Sequence, residues 1–292
     1  MQSNKRTNVR AIDARQLDDR ATAARIAEMF LTTPPRRRFL DSEAELFQDA
    51  VRWSVEVEGD TVPVYRFGSG PAVLLVHGWG GSSGQLAQFI PPLLASGVSV
   101  VAFDAPGHGA ATGTWLAIPR FAEVIARVAE SAGSIRGVIA HSMGAAASAF
   151  ATSLGFRADR LVFIGPPANE YEFFCGWFAT LGVDLNLLPL ATTAVVERVG
   201  VTFERLGADR IAADVRAPLL VIHDRDDREV PYANGAAIAS HAPDGRLHTT
   251  RGLGHRRIVR DLHVIQTSVN FVLDFPTQRN SSEWSASNLA SL

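Results

Sequence analysis

The chain has 292 residues, 47% of them hydrophobic, which suits one large globular domain or a domain with a small insertion. Its formal net charge of -2, with acids and bases interspersed, leaves no electrostatic footprint for nucleic acid or an anionic membrane surface. One cysteine, Cys175, excludes an internal disulfide framework, and no Cys/His spacing of the kind that holds a metal occurs.

The chain opens on MQSNKRTNVR, which is polar and lacks an apolar core followed by a small-residue cleavage site, so no signal peptide is expected. No uninterrupted apolar run approaches the roughly 18 residues of a membrane span, and the cytoplasm is the default expectation. Residues 1–50 read as a helical N-terminal extension. Two helical stretches flank the break at Thr33, Pro34 and Pro35, and Ala24, Ile26, Ala27, Phe30 and Leu31 recur at helical spacing in the first. The following Arg36, Arg37 and Arg38 read as a solvated loop rather than a binding patch. Two alternating segments, 53–58 and 61–67, come next. Gly59 and Asp60 join them as a tight hairpin would, and Pro63 suits an edge strand.

The pattern then changes to short, nearly unbroken apolar runs at 72–76, 98–103, 137–140, 161–164 and 219–222. Such runs fit strands buried on both faces of a parallel sheet. Helical segments separate them; one starts near Pro119 and places Phe121, Val124, Ile125 and Val128 on one face. The expected fold class is therefore α/β: a mostly parallel twisted sheet flanked by helices, with a small antiparallel edge. Its core spans 51–166 and 214–275. The interval 167–213 is too long for a plain crossover and is rich in Phe, Trp, Leu and Val at helical spacing, so it reads as a helical cap inserted over the sheet. Cys175, among Phe173, Phe174, Trp177 and Phe178, reads as a buried, inert thiol. Residues 276–292 are small and polar and read as a loose tail.

Chemistry-bearing residues fall at the ends of these strands, where open parallel sheets place their sites. The run from Gly137 enters Ser142 and leaves as Met143, Gly144, Ala145, Ala146 and Ala147. A strand-to-helix turn this sharp crowds its neighbours, and Ala140 and Gly144 are small enough to fit. A serine hydroxyl needs a base, a group that orients the base, and donors for the developing oxyanion. Three aspartates follow the 219–222 strand. Asp227 is preferred as the acid by its place before Val230 and Pro231, and Asp224 and Asp226 are read as surface or turn residues. His255, in a glycine-containing loop before the last helix, is the candidate base. The glycine-rich turn after the 72–76 strand offers the N–H of Trp79, which together with that of Met143 makes a candidate oxyanion hole.

Five segments, HGWGG, FDAPGHG, AHSMG, HDRDDREVP and GLGH, occur in an order that resembles the α/β-hydrolase superfamily, and the triad order Ser, Asp, His agrees. The resemblance covers residues 55–275. It implies Ser142 as nucleophile, Asp227 as acid, His255 as base, and Trp79 with Met143 as oxyanion donors. It departs at Ala140, where the family usually has glycine. His108 matches a structural turn, and His77 and His141 are read as serving packing or loop hydrogen bonds. The resemblance implies a serine hydrolase that needs no cofactor or metal and acts on a small-molecule substrate. A carboxylic ester with a small or medium apolar group is expected first. Thioesters, amides, C–C bonds and a non-catalytic ligand-binding role on the same fold are the alternatives. Serine at this position argues against dehalogenation, which in relatives uses aspartate. Phe173, Phe174, Trp177, Phe178 and Leu181 of the cap are the expected substrate contacts. Oligomeric state has no signature in the sequence.

Overall fold

A computed structural model describes residues 18–274; the expectations for residues 1–17 and for the tail lie outside the described residues. Eight strands form one sheet: β1 (Val51–Val57), β2 (Asp60–Phe67), β3 (Ala72–Val76), β4 (Ser99–Phe103), β5 (Ile135–His141), β6 (Arg160–Ile164), β7 (Leu219–Asp224) and β8 (Gly245–Thr250). Their spatial order is β1-β2-β4-β3-β5-β6-β7-β8. β2 runs antiparallel to β1 and β4, and every pair from β4 to β8 is parallel. The fold is the expected α/β class.

β3 is apolar throughout because both of its faces are covered. Ala72, Leu74 and Val76 face one hydrophobic cluster, and Val73 and Leu75 face the other, which is the period of two of a strand. On the first face lie α4 (Ile118–Ala132), α5 (Met143–Ser153), α8 (Ala208–Ile211) and α9 (Tyr232–His241). On the second lie α3 (Ile90–Ala95), α11 (Leu262–Leu273) and Phe47, which follows α2 (Asp41–Leu46). α4 starts with Pro119 in its first turn and buries Phe121, Val124, Ile125 and Val128 completely.

Two local expectations are corrected. The hairpin turn is Glu58-Gly59, one residue earlier than expected, since Val57 pairs with Asp60. Both turn residues have positive φ, 48° and 83°, as a turn matched to the twist of a hairpin requires. β2 is not an edge strand, because β4 lies on its other side. Pro63 is tolerated there since pairing with β4 starts only at Val64.

The interval after β6 folds as α6 (Glu170–Ala179), a short 3₁₀ turn, α7 (Leu188–Val199) and a second 3₁₀ turn at Phe203–Leu206. Its apolar cluster is shared with the N-terminal segment: Ala23, Ile26, Ala27 and Leu31 of α1 (Asp19–Leu31) pack with Phe174, Phe178, Ala191, Val195 and Phe203. The 170–206 segment and α1 therefore share one apolar core. From Leu206 onward the side chains join the sheet-side cluster instead. Cys175 is half-buried rather than buried. The N-terminal segment is tied down where Thr33 N–H donates to the Thr114 carbonyl and Leu116 N–H to that of Leu31.

Candidate active site

Ser142 stands between β5 and α5 with φ 53° and ψ −127°, a backbone conformation that L residues rarely adopt. Its N–H donates to the Ile164 carbonyl at 2.9 Å, and the helix restarts at once as Ala145 N–H donates to the Ser142 carbonyl. The turn closes because Gly144 has no side chain. A Cβ there would lie 2.2 Å from the His77 carbonyl oxygen. Ala140, two residues before the serine, is completely buried.

Three side chains far apart in sequence meet at this rim of the sheet. His255 Nε2 lies 2.9 Å from Ser142 Oγ, and its Nδ1 lies 2.7 Å from Asp227 Oδ2. Asp227 Oδ1 accepts the N–H groups of Glu229 and Val230, both at 2.9 Å. His223 Nε2 approaches Asp227 Oδ2 at 3.4 Å from behind. Burial alone would raise the Asp227 carboxyl. Hydrogen bonds from His223, His255 and Val230 outweigh that and hold it well below the usual carboxylate range. An ionised Asp227 fixes the Nδ1–H tautomer of His255 and leaves Nε2 as the acceptor facing the serine hydroxyl.

The loop that carries His255 is held by residues read from the sequence as surface or turn. Asp224 is fully buried, and its Oδ2 accepts from Thr250 Oγ1 at 2.7 Å and Leu253 N–H at 3.1 Å. Asp226 accepts Gly252 N–H at 2.8 Å. The aspartates beside Asp227 are thus the clamp that joins the acid loop to the base loop. His141 adds a second clamp, with Nε2–H donating to the His255 carbonyl at 2.9 Å.

Trp79 and Met143 flank the serine. Neither backbone N–H has a protein acceptor among the described residues, so both remain available to an oxygen bound at Ser142. The loop is set rigidly: Gln85 Oε1 accepts Gly78 N–H at 2.8 Å, and His108 Nε2 accepts Gly80 N–H at 2.9 Å. His77 Nε2 in turn accepts Ala105 N–H at 3.0 Å. Gln85 escaped the sequence reading because a lone glutamine in a polar turn carries no signal. His108 was visible only as part of a turn.

The His77 and His108 bonds need neutral imidazoles with one donor and one acceptor nitrogen, and burial pushes His77 and His108 down to about 4 and His141 to about 3. In the unfolded chain each would take up a proton near its ordinary value of about 6.5. Stability held above that value is therefore lost as the pH falls toward 4, at up to about 1.4 kcal/mol per pH unit for each histidine. Thermal melts should fall steeply from pH 6.5 to pH 4; a midpoint constant over that range would contradict the buried neutral imidazoles.

A cavity of about 770 Å³ opens above Ser142, Met143, Trp79 and His255. Phe173 and Trp177 line it. Phe174 and Phe178 do not: they are buried in the apolar core that α6 and α7 share with α1, and Leu181 packs against that core. In their place stand Phe30, Val195, Val199 and Phe203, with Met29, Pro34 and Pro35 from the N-terminal segment. The N-terminal segment is thus part of the cavity wall, a role that helical spacing alone does not reveal. Among the described residues no cluster of metal-ligating side chains occurs, and no helix is long and apolar enough to cross a membrane.

Comparison with known proteins agrees with this architecture. The model of the alpha/beta hydrolase family matches residues 73–264. The chain is 25% identical to a 2-hydroxy-6-oxo-6-phenylhexa-2,4-dienoate hydrolase of Burkholderia cepacia, over 64% of this chain and 82% of that protein. It is 24% identical to a 2-hydroxy-6-oxononadienedioate/2-hydroxy-6-oxononatrienedioate hydrolase of Comamonas testosteroni, with the same coverage. Among solved structures, an esterase of Pyrococcus furiosus superposes with a TM-score of 0.63 at 19% identity, covering 84% of this chain and 97% of that one. That last likeness is one of fold.

Proposed function

Because the chain belongs to the alpha/beta hydrolase family, we propose that it is a serine hydrolase that cleaves carboxylic esters of small or medium apolar substrates through an acyl-enzyme. The reading rests on the continuous line of hydrogen bonds from Asp227 through His255 to Ser142 at the floor of a cavity walled on one side by aromatic and aliphatic side chains.

In this mechanism the Ser142 oxygen attacks the ester carbonyl while His255 Nε2 takes its proton. The carbonyl oxygen becomes an oxyanion, held by the N–H groups of Trp79 and Met143. Loss of one such donor typically costs about 2.7–4 kcal/mol in the transition state. His255 then returns the proton to the departing alkoxide, and the acyl group stays on Ser142. Water repeats the sequence: His255 takes its proton, its oxygen attacks the acyl carbon, and Ser142 leaves with the proton restored. Asp227, kept ionised by the donors around it, stabilises the imidazolium at both stages.

A second reading is hydrolysis of a C–C bond beside a ketone, favoured by the two curated relatives, whose named substrates are 2-hydroxy-6-oxo dienoates. A panel of p-nitrophenyl esters of increasing acyl length separates the two, run beside a thioester, an anilide and 2-hydroxy-6-oxo-6-phenylhexa-2,4-dienoate. The ester reading expects the highest kcat/KM on a short or medium ester. A higher value on the dienoate would establish the second reading, and no turnover of any compound would point to a ligand-binding role.

A further inference from the structure

Apart from the triad, the carboxyl among the described cavity-lining residues that has no side-chain partner is that of Glu170. α6 presents Glu170, Phe173 and Trp177 at i, i+3 and i+7, and all three line the cavity. Phe30, arriving from α1, packs against Phe173 and Trp177 with ring centroids 6.3 and 5.2 Å apart, and Phe203 continues the same wall. Among the described residues no donor or cation pairs with the Glu170 carboxyl, which is half-buried at the cavity wall in the first turn of α6, and partial desolvation pushes it up to about 7.

The other charged groups that line the cavity are engaged elsewhere or stand at its rim. Arg256 is held by Glu229 at 2.8 and 3.0 Å. Arg37 pairs with Glu43 and donates to Ser82. Arg257 donates to the carbonyls of Leu253 and Gly252, and Arg260 is exposed. None of them forms an ion pair or hydrogen bond with Glu170.

An unpaired carboxyl in an aromatic wall discriminates among ligands by charge. A hydrocarbon group would cover it and leave it unsatisfied. An anion would be repelled. A substituted ammonium answers both features at once, since the carboxylate offers an opposite charge and the ring faces attract a cation through their quadrupoles. The same binding would favour the ionised carboxyl.

We infer that Glu170, with Phe30, Phe173, Trp177 and Phe203, forms a subsite for a substituted ammonium group on the substrate, remote from the bond that is broken. This rests on the reading of the cavity as the substrate pocket and narrows its substrates to esters that carry an alkylammonium group.

The test compares choline with 3,3-dimethylbutan-1-ol, which has the same shape with carbon in place of the charged nitrogen. Both are titrated by calorimetry into the full chain and into Ser142→Ala, so that the readout needs no turnover. Choline is expected to bind about tenfold or more tighter than the alcohol in both proteins. Glu170→Gln should bring the ratio close to one, and Phe173→Leu, which keeps the carboxyl, should reduce it several-fold. Equal affinities in the wild type, failure of choline to bind, or a preference that survives Glu170→Gln would each overturn the subsite. A protein that prefers choline yet hydrolyses no ester would keep the subsite and refute only the catalytic reading. An active esterase indifferent to choline would do the reverse.

Discussion

Alanine at Ser142 or at His255 is expected to lower kcat on the best ester by about 10⁶-fold, and asparagine at Asp227 by about 10⁴-fold, magnitudes typical of Ser-His-Asp enzymes. The double variant Ser142→Ala/His255→Ala should lose no more than either single one, because the two act in one proton transfer and neither is useful alone. Asp227→Asn is milder since the imidazole stays in place. It loses the charge that selects the Nδ1–H tautomer, one partner of a 2.7 Å contact. Thermal melts of all variants show whether the fold is retained. A folded His255→Ala protein that loses less than about tenfold would mean that another group accepts the serine proton.

The second large effect is structural. Gly144→Ala places a methyl carbon 2.2 Å from the His77 carbonyl oxygen and 2.9 Å from Val76 Cγ1, and the first of these is backbone that cannot swing aside. α5 must then lift from β3, carrying Met143 and Ser142 away from the Trp79 loop. Overpacking against backbone is expected to cost about 3 kcal/mol, a fall in Tm of about 5–10 °C, together with at least about 10²-fold in kcat. Gly176→Ala is the control. It lies in α6 with nothing within 4 Å of the added carbon, so helix propensity should leave Tm unchanged or slightly raised. If Gly144→Ala melts like the wild type, the tight approach of helix to strand is not what shapes this turn.

The sheet was legible because its strands are buried on both faces, which writes unbroken apolar runs into the sequence. The serine turn was legible because its steric demand removes side chains at Ala140 and Gly144. What stayed hidden depends on contacts between distant segments. Asp224 resembles any loop aspartate until Thr250 and Leu253 arrive from elsewhere to meet it. Phe173 and Phe174 are equally aromatic neighbours, yet one faces the cavity and the other the cap's core, a choice set by where α1 and α7 pack. α1 itself shows an apolar stripe without naming its partner, so its place in the cavity wall could not be foreseen.

The most direct test of the central claim is covalent. Incubation with a fluorophosphonate should add one phosphonyl group, mapped by peptide mass spectrometry to Ser142, and the adduct should vanish in His255→Ala while that variant keeps its melting temperature. A wild-type protein that remains unmodified, or that carries the group on another residue, would show that the hydroxyl at the β5–α5 turn is not an activated nucleophile.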